Sequence, residues 1–205
     1  MLKPVLLALL LCSCTHKSEQ TIVQNDEVGA SITVSGLDVC FSPAGGCEAK
    51  IVNFINSEDK EILVQAYSFT DSSIENALIA KKGIVHILLD RSDLGTAVLQ
   101  DFLNNGMDVL IDKKHPIAHN KLIIIPGAVE TGSFNYTNQA EKYNAENALF
   151  IKYKPLAQKY RDNWMAHKAH SVVPSAVDAG LVKANGYHRG HAHTELEPLD
   201  DDTRE

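Results

Sequence analysis

A chain of 205 residues, 44% hydrophobic and 22% charged, is long enough for one domain with a real core plus terminal extras. That composition excludes a fibrous or low-complexity protein. The net charge of −7 excludes a generally basic coat for nucleic acid, so any phosphate binding has to come from a local basic patch, with marked salt dependence.

The first residues read as an export signal. Lys3 supplies the positive start, and Val5 to Leu11 form an apolar run too short to span a bilayer. Leu11-Cys12-Ser13-Cys14 reads as a lipobox, which makes 1–14 a lipoprotein signal and Cys14 the acylated mature N-terminus. Ordinary cleavage nearby, giving a soluble secreted protein, is the alternative. Both place the protein outside the cytoplasm, periplasmic or membrane-anchored in the first case. Residues 15–31 are polar and read as a tether.

A domain over 32–170 alternates strands with helices. Ile62 to Phe69 is a strand-like apolar run, and Ser72 with Glu75 predicts a capping box for a helix through Lys82, stopped by Gly83. Ile84 to Asp90 reads as a buried strand. Val98, Leu99, Phe102 and Leu103 mark one face of a helix ended by Gly106, and Val109 to Asp112 is a short strand. Leu122–Ile125 and Val129–Phe134 are two strands joined at Pro126-Gly127. A helix over Thr137–Tyr143 and a strand over Asn147–Tyr153 follow, and Pro155 opens a last helix with Leu156, Tyr160 and Trp164 on one stripe. This alternation predicts an α/β layered domain with helices on both sheet faces. After His170 the periodicity fails. Residues 171–205 read as a disordered tail, with His188, His191 and His193 as adventitious or regulatory metal binders in the alternative. Seven acids against three bases lie between His170 and Glu205.

With Cys12 and Cys14 assigned to the signal, Cys40 and Cys47 remain as a pair. An exported compartment permits a disulfide between them, which would stabilise the fold by about 2–3 kcal/mol on the chain-entropy model. Two free, buried thiols are the alternative. Two cysteines alone make a poor zinc site.

Three segments carry chemistry: His119-Asn120-Lys121, Gly132-Ser133-Phe134-Asn135 and Glu146. A neutral imidazole attacks phosphorus or passes a proton near neutral pH. A lysine ammonium holds phosphoryl oxygens as a compact charge. An asparagine amide donates hydrogen bonds as charge builds up in the transition state, and a carboxylate fixes the orientation of the histidine. Such a set requires no metal and no other cofactor. Lys113-Lys114-His115 makes the approach to His119 locally basic. His115 is a candidate substrate contact, with a plain loop histidine before Pro116 as the alternative.

The combination H-x-K followed by G-S-x-N resembles the phospholipase D superfamily, and most closely its small single-motif bacterial endonucleases. The likeness extends to Val39-Cys40-Phe41-Ser42-Pro43 on to Cys47, Ile62 to Phe69, Lys114 to Lys121 and Glu146-Asn147-Ala148, and covers about 36–168. It implies a mixed sheet flanked by helices, one half of the phospholipase D-like fold per chain, with His119, Lys121, Asn135 and Glu146 as catalytic residues and Ser133 as a further hydrogen-bonding contact. One departure stands out. The family places Asp after H-x-K-x4, where this chain has Pro126, and the spacing on to Gly132 is one residue short. In the family that Asp is a supporting residue.

One motif copy per chain implies a symmetric homodimer that pairs two histidines across the phosphorus. The expected activity is metal-independent, sequence-indifferent cleavage of DNA, with RNA as a further substrate, through a phosphohistidine. The alternatives are phospholipase D-type hydrolysis of phospholipid head groups, which a lipid anchor on Cys14 would suit, and a catalytically silent nucleic-acid binder motivated by Pro126.

Overall fold

The computed structural model describes residues 36–175; the predicted signal, the Cys14 anchor, the tether and the His-rich tail beyond 175 lie outside the described residues. The strands are β1 (Leu37–Ser42), β2 (Ile62–Ala66), β3 (Val85–Asp90), β4 (Asp108–Asp112), β5 (Leu122–Ile125), β6 (Ala128–Gly132) and β7 (Glu146–Ile151). The helices are α1 (Cys47–Asn56), α2 (Ser72–Ala80), α3 (Ala97–Asn104), α4 (Asn138–Lys142) and α5 (Lys154–Lys168). The seven strands form one mixed sheet in the order β1-β7-β6-β5-β2-β3-β4. β2, β3 and β4 run parallel, while β5, β6, β7 and β1 each run antiparallel to the neighbour before.

Hydrophobic alternation explains the layering. Ile62, Val64 and Ala66 of β2 join the larger core with Ile51 and Ile55 of α1, Leu78 of α2 and Phe102 of α3. Leu63, one position out of phase, faces a smaller core with Leu88, Leu122, Ile124 and Trp164 of α5. The stripe of Leu156, Tyr160 and Trp164 packs there as its spacing requires, and the Trp164 indole donates to the Val64 carbonyl at 2.9 Å. A strand buried on both faces reads as a continuous apolar run. Gln65 is the exception in β2, polar yet 1% exposed.

Several boundaries shift from the sequence expectation. The cap of α2 is Asp71, not Ser72: its carboxylate accepts from the backbone N–H groups of Ser73 and Ile74 at 2.9 and 3.1 Å, a stronger acceptor one residue earlier. β2 ends at Ala66, after which Phe69 bridges to Tyr136. β1 and α1 come from a stretch without a predicted element. Gly46 precedes α1 and offers no side-chain cap, so the usual start signal is missing. The domain also runs past 170: Val172 exchanges backbone hydrogen bonds with Ile111 of β4 at 2.8 and 3.0 Å, covering part of that edge strand. Cys40 and Cys47 form the expected disulfide, tying β1 to the first residue of α1. Among the described residues no helix is long and apolar enough to cross a membrane.

Candidate active site

Strand direction gathers the motif residues at one edge of the sheet. β5 begins where β2 ends, since Leu122 pairs with Gln65. β6 ends there too, with Thr131 opposite Leu122, and β7 begins there, with Ala148 opposite Gly132. His119 and Lys121 therefore lead into β5, Ser133 and Asn135 follow β6, and Glu146 opens β7. Adjacent strands lie about 4.8 Å apart, so three neighbours place the set within the reach of one phosphodiester. The same edge holds the C-terminal ends of the parallel strands, where α/β sites form.

Lys121 is 6% exposed. Its ammonium donates to the His119 carbonyl at 2.8 Å and sits 5.0 Å above the Tyr67 ring. Burial pushes its pKa below the ordinary lysine value, and the Glu146 charge opposes that shift. A desolvated ammonium with incomplete compensation favours an incoming anion. His119 is exposed, and its imidazole packs edge-on against Tyr67 with ring centroids 4.4 Å apart. Tyr67 thus supports both groups, a role its aromatic character alone does not separate from core packing.

Gly132 is fixed by close approach: a Cβ there would lie 2.1 Å from the Asn147 carbonyl oxygen. That carbonyl accepts from the N–H groups of Ser133 and Phe134 at 3.1 and 3.2 Å. The Ser133 hydroxyl oxygen accepts from the Asn147 backbone N–H at 3.1 Å and from its amide at 3.3 Å, leaving its own proton to donate. Phe134 is fully buried and pins the segment. Asn135 is half-buried, and its Oδ1 is buried without a hydrogen-bond partner. Glu146 accepts from the Asn144 amide at 3.1 Å. Among the described residues its carboxylate makes no hydrogen bond to His119, so the expected carboxylate–imidazole pair is not formed within one chain.

Three anchors escaped the motif reading, all at ends of the parallel strands. Asp90 ends β3 and accepts from the Ala118 N–H at 2.6 Å and the Ser92 N–H at 2.8 Å. Gln65 accepts from the Asn120 amide at 3.2 Å. Asp112 ends β4 and accepts from the N–H groups of Lys114 and His115 at 3.0 and 3.2 Å. Together they hold the loop 113–121 that carries His119. The signal for them was a buried polar residue at the end of an apolar strand. His115, expected beside the substrate, instead directs its Nδ1 to the Asp112 carboxylate at 2.8 Å. Pro126 occupies the β5–β6 turn with Gly127, whose φ is +87°. Ile125 pairs with Ala128 there, whereas Leu122 pairs with Thr131 at the site. The four residues of β5 lie between Pro126 and Lys121, which puts the two about 16 Å apart along the strand.

A family model described as "Cardiolipin synthase, PLD-like domain" matches residues 51–167. Curated relatives named phospholipase D include one from Rickettsia conorii, 42% identical over 68% of this chain and 73% of its own. Another from Rickettsia felis is 44% identical over 66% of this chain and 70% of its own. Among solved structures, the phospholipase D family member Nuc from Salmonella typhimurium superposes with a TM-score of 0.62 at 35% identity, covering 66% of this chain and 95% of that one. NucT from Helicobacter pylori shares the fold, with a TM-score of 0.57 at 20% identity over 66% of this chain and 98% of its own. The chain belongs to the phospholipase D superfamily of phosphodiesterases.

Proposed function

We propose that the protein is an exported, metal-independent endonuclease that hydrolyses DNA, and RNA as well, at a site shared between two copies of the chain. The observation that carries this reading is the convergence of exposed His119, desolvated Lys121, Asn135 and Glu146 at one sheet edge, with the basic segment Lys113-Lys114 following β4 on the same edge. Such an edge suits an extended polyanion, and a site that grips phosphates carries no sequence information. A cavity of about 360 Å3 is lined by Ile124, Pro126, Gly127 and Arg161. It belongs to the β5–β6 turn end, not to the His119 end.

In the proposed reaction, a nitrogen of His119 attacks phosphorus, forming an N–P bond as the P–O bond to the leaving group breaks. The partner subunit's His119 gives its proton to the departing oxygen. That imidazole then takes a proton from water, which attacks phosphorus and releases His119. Lys121 and Asn135 hold the non-bridging oxygens, Ser133 donates its hydroxyl proton, and Glu146 balances the positive charge the imidazole gains. A partner is supported by the apolar surface beside the site: Phe41, 64% exposed, pairs with Asn147, and Tyr143 is 72% exposed. Export is supported by the Cys40–Cys47 disulfide. Lipid attachment at Cys14 is the membrane-anchored form of the same proposal.

The second reading is hydrolysis of phospholipid head groups, favoured by the phospholipase D name of relatives at 42–44% identity. The chemistry at phosphorus is the same. Parallel assays on plasmid DNA, single-stranded DNA, RNA and phosphatidylcholine vesicles separate the two. Nucleic-acid cleavage with vesicles untouched supports the nuclease; head-group release alone overturns it. Sedimentation at assay concentration tests the shared site, and a cleaving monomer would refute it.

A further inference from the structure

At the C-terminal end of β4, the outermost strand on that edge, the structure gathers a second cluster of chemistry-bearing side chains outside the proposed catalytic set. Asp112 is 0% exposed. Its Oδ1 is held by two backbone N–H groups, while its Oδ2 meets three imidazoles: His115 Nδ1 at 2.8 Å, His167 Nδ1 at 3.2 Å and His170 Nε2 at 3.2 Å. The three rings surround that oxygen with centroids 5.0, 5.1 and 5.4 Å apart. All four prospective donor atoms lie within 4.8 Å of one another.

We propose that Asp112, His115, His167 and His170 form a four-coordinate site for a divalent transition ion, zinc by its chemistry. Three N–H donors on one carboxylate oxygen exceed its two lone pairs, whereas a cation at the centre would satisfy all four groups at once. Nitrogen donors select zinc and its neighbours over calcium or magnesium. A tetrahedron with bonds of 2.0–2.1 Å has edges of about 3.3 Å, so the separations from Oδ2 need only small adjustments. The carboxylate is oriented from behind by backbone N–H groups, as metal carboxylates require. The sequence arrangement is also that of a metal site, Asp112-x2-His115 and His167-x2-His170, two close pairs brought together by the fold.

Four protein ligands leave no open position, so the ion is structural. It clips the last turn of α5 and the Val172 segment to the end of β4 and to the loop that leads, four residues on, to His119. A metal-free reaction and a metal-clipped fold are compatible, since no ligand belongs to the catalytic set.

The test is zinc content and cobalt spectroscopy on the full chain, independent of any cleavage assay. The tail histidines supply the necessary control. Wild type and the triple variant His188→Ala, His191→Ala, His193→Ala are each expected to carry about one zinc per chain after dialysis. The double variant His167→Ala, His170→Ala is expected to carry almost none; its substituted side chains are partly exposed, so the fold tolerates the change. The stripped wild type titrated with Co2+ is expected to show the intense visible bands of four-coordinate nitrogen ligation, and to melt at higher temperature with Zn2+ than without. Zinc that stays with the double variant, zinc that leaves with the tail histidines, or a stripped wild type that takes up no Co2+ would each overturn the site.

Discussion

The two halves of the sheet contribute differently to one edge. In the antiparallel half, the ends of β5, β6 and β7 carry the motif residues proposed to act on substrate, drawn from a short stretch between His119 and Glu146. In the parallel half, β2, β3 and β4 present Gln65, Asp90 and Asp112, which meet no substrate but hold the loop on which His119 sits. The first half spends its polarity on chemistry, leaving Lys121 buried with few partners and Asn135 with an unpaired atom. The second directs it into hydrogen bonds that hold the loop. Lys121 and Asn135 are left under-satisfied, whereas both carboxylate oxygens of Asp90 and of Asp112 are bonded; Gln65, whose Nε2 is buried without a partner, is the exception among the supports.

This contrast is open to direct attack. Lys121→Met is expected to lower kcat by about a hundred- to a thousandfold with stability unchanged or raised, because methionine avoids the cost of burying an ammonium. A matching loss in urea midpoint would show Lys121 to be structural. Asp90→Ala should behave oppositely. Two backbone donors lose their acceptor, costing about 2–3 kcal/mol of stability, with a smaller fall in rate as the loop shifts; urea denaturation beside kinetics reads both. Unchanged stability would remove Asp90 from the support.

A third expectation concerns Glu130 of β6, fully buried beneath the site segment, with the Tyr136 hydroxyl donating to it at 2.7 Å. Burial raises its carboxyl to about 8, the Tyr136 hydrogen bond opposing. A raised folded-state pKa means that the folded chain keeps a proton the unfolded chain releases. Its contribution is full below the ordinary value of 4.5 and is lost as pH rises toward 8. Denaturation at pH 5 and pH 8 should show wild type losing stability across that window, with Glu130→Gln flattening the slope. An equal slope in the variant contradicts the assignment. The smallest effect is expected for Pro126→Asp. It restores the family residue in a turn about 16 Å from Lys121, so the rate should stay within about twofold. A large gain would mean that the turn reaches the site.

The superfamily was legible because its motifs are local. H-x-K and G-S-x-N are short motifs, and period-two alternation sets His119 and Lys121 on one side of the chain. The stripe of α5 and the strands β3 to β6 were equally plain from apolar spacing. The supports were not, because Asp90 and Asp112 look like ordinary strand ends until the fold brings Ala118 and His115 to them. His115 could be read as basic, but not as bound to an aspartate that also faces His167 and His170, more than fifty residues on. Pro126 was the converse: a conspicuous departure in the motif that the hairpin places in a remote turn. α1 lacked a polar cap, so its start gave no signal, although Ile51, Phe54 and Ile55 carry a helical stripe.

The most direct test of the account is turnover of bis(p-nitrophenyl) phosphate and plasmid DNA by wild type and His119→Ala, in excess EDTA, at a temperature where circular dichroism shows both chains folded. The account predicts that wild type turns over without metal and that His119→Ala falls by at least about a thousandfold. Activity that EDTA abolishes and that added Mg2+, which the histidine cluster does not select, restores, or a His119→Ala chain that keeps the wild-type rate, would contradict it.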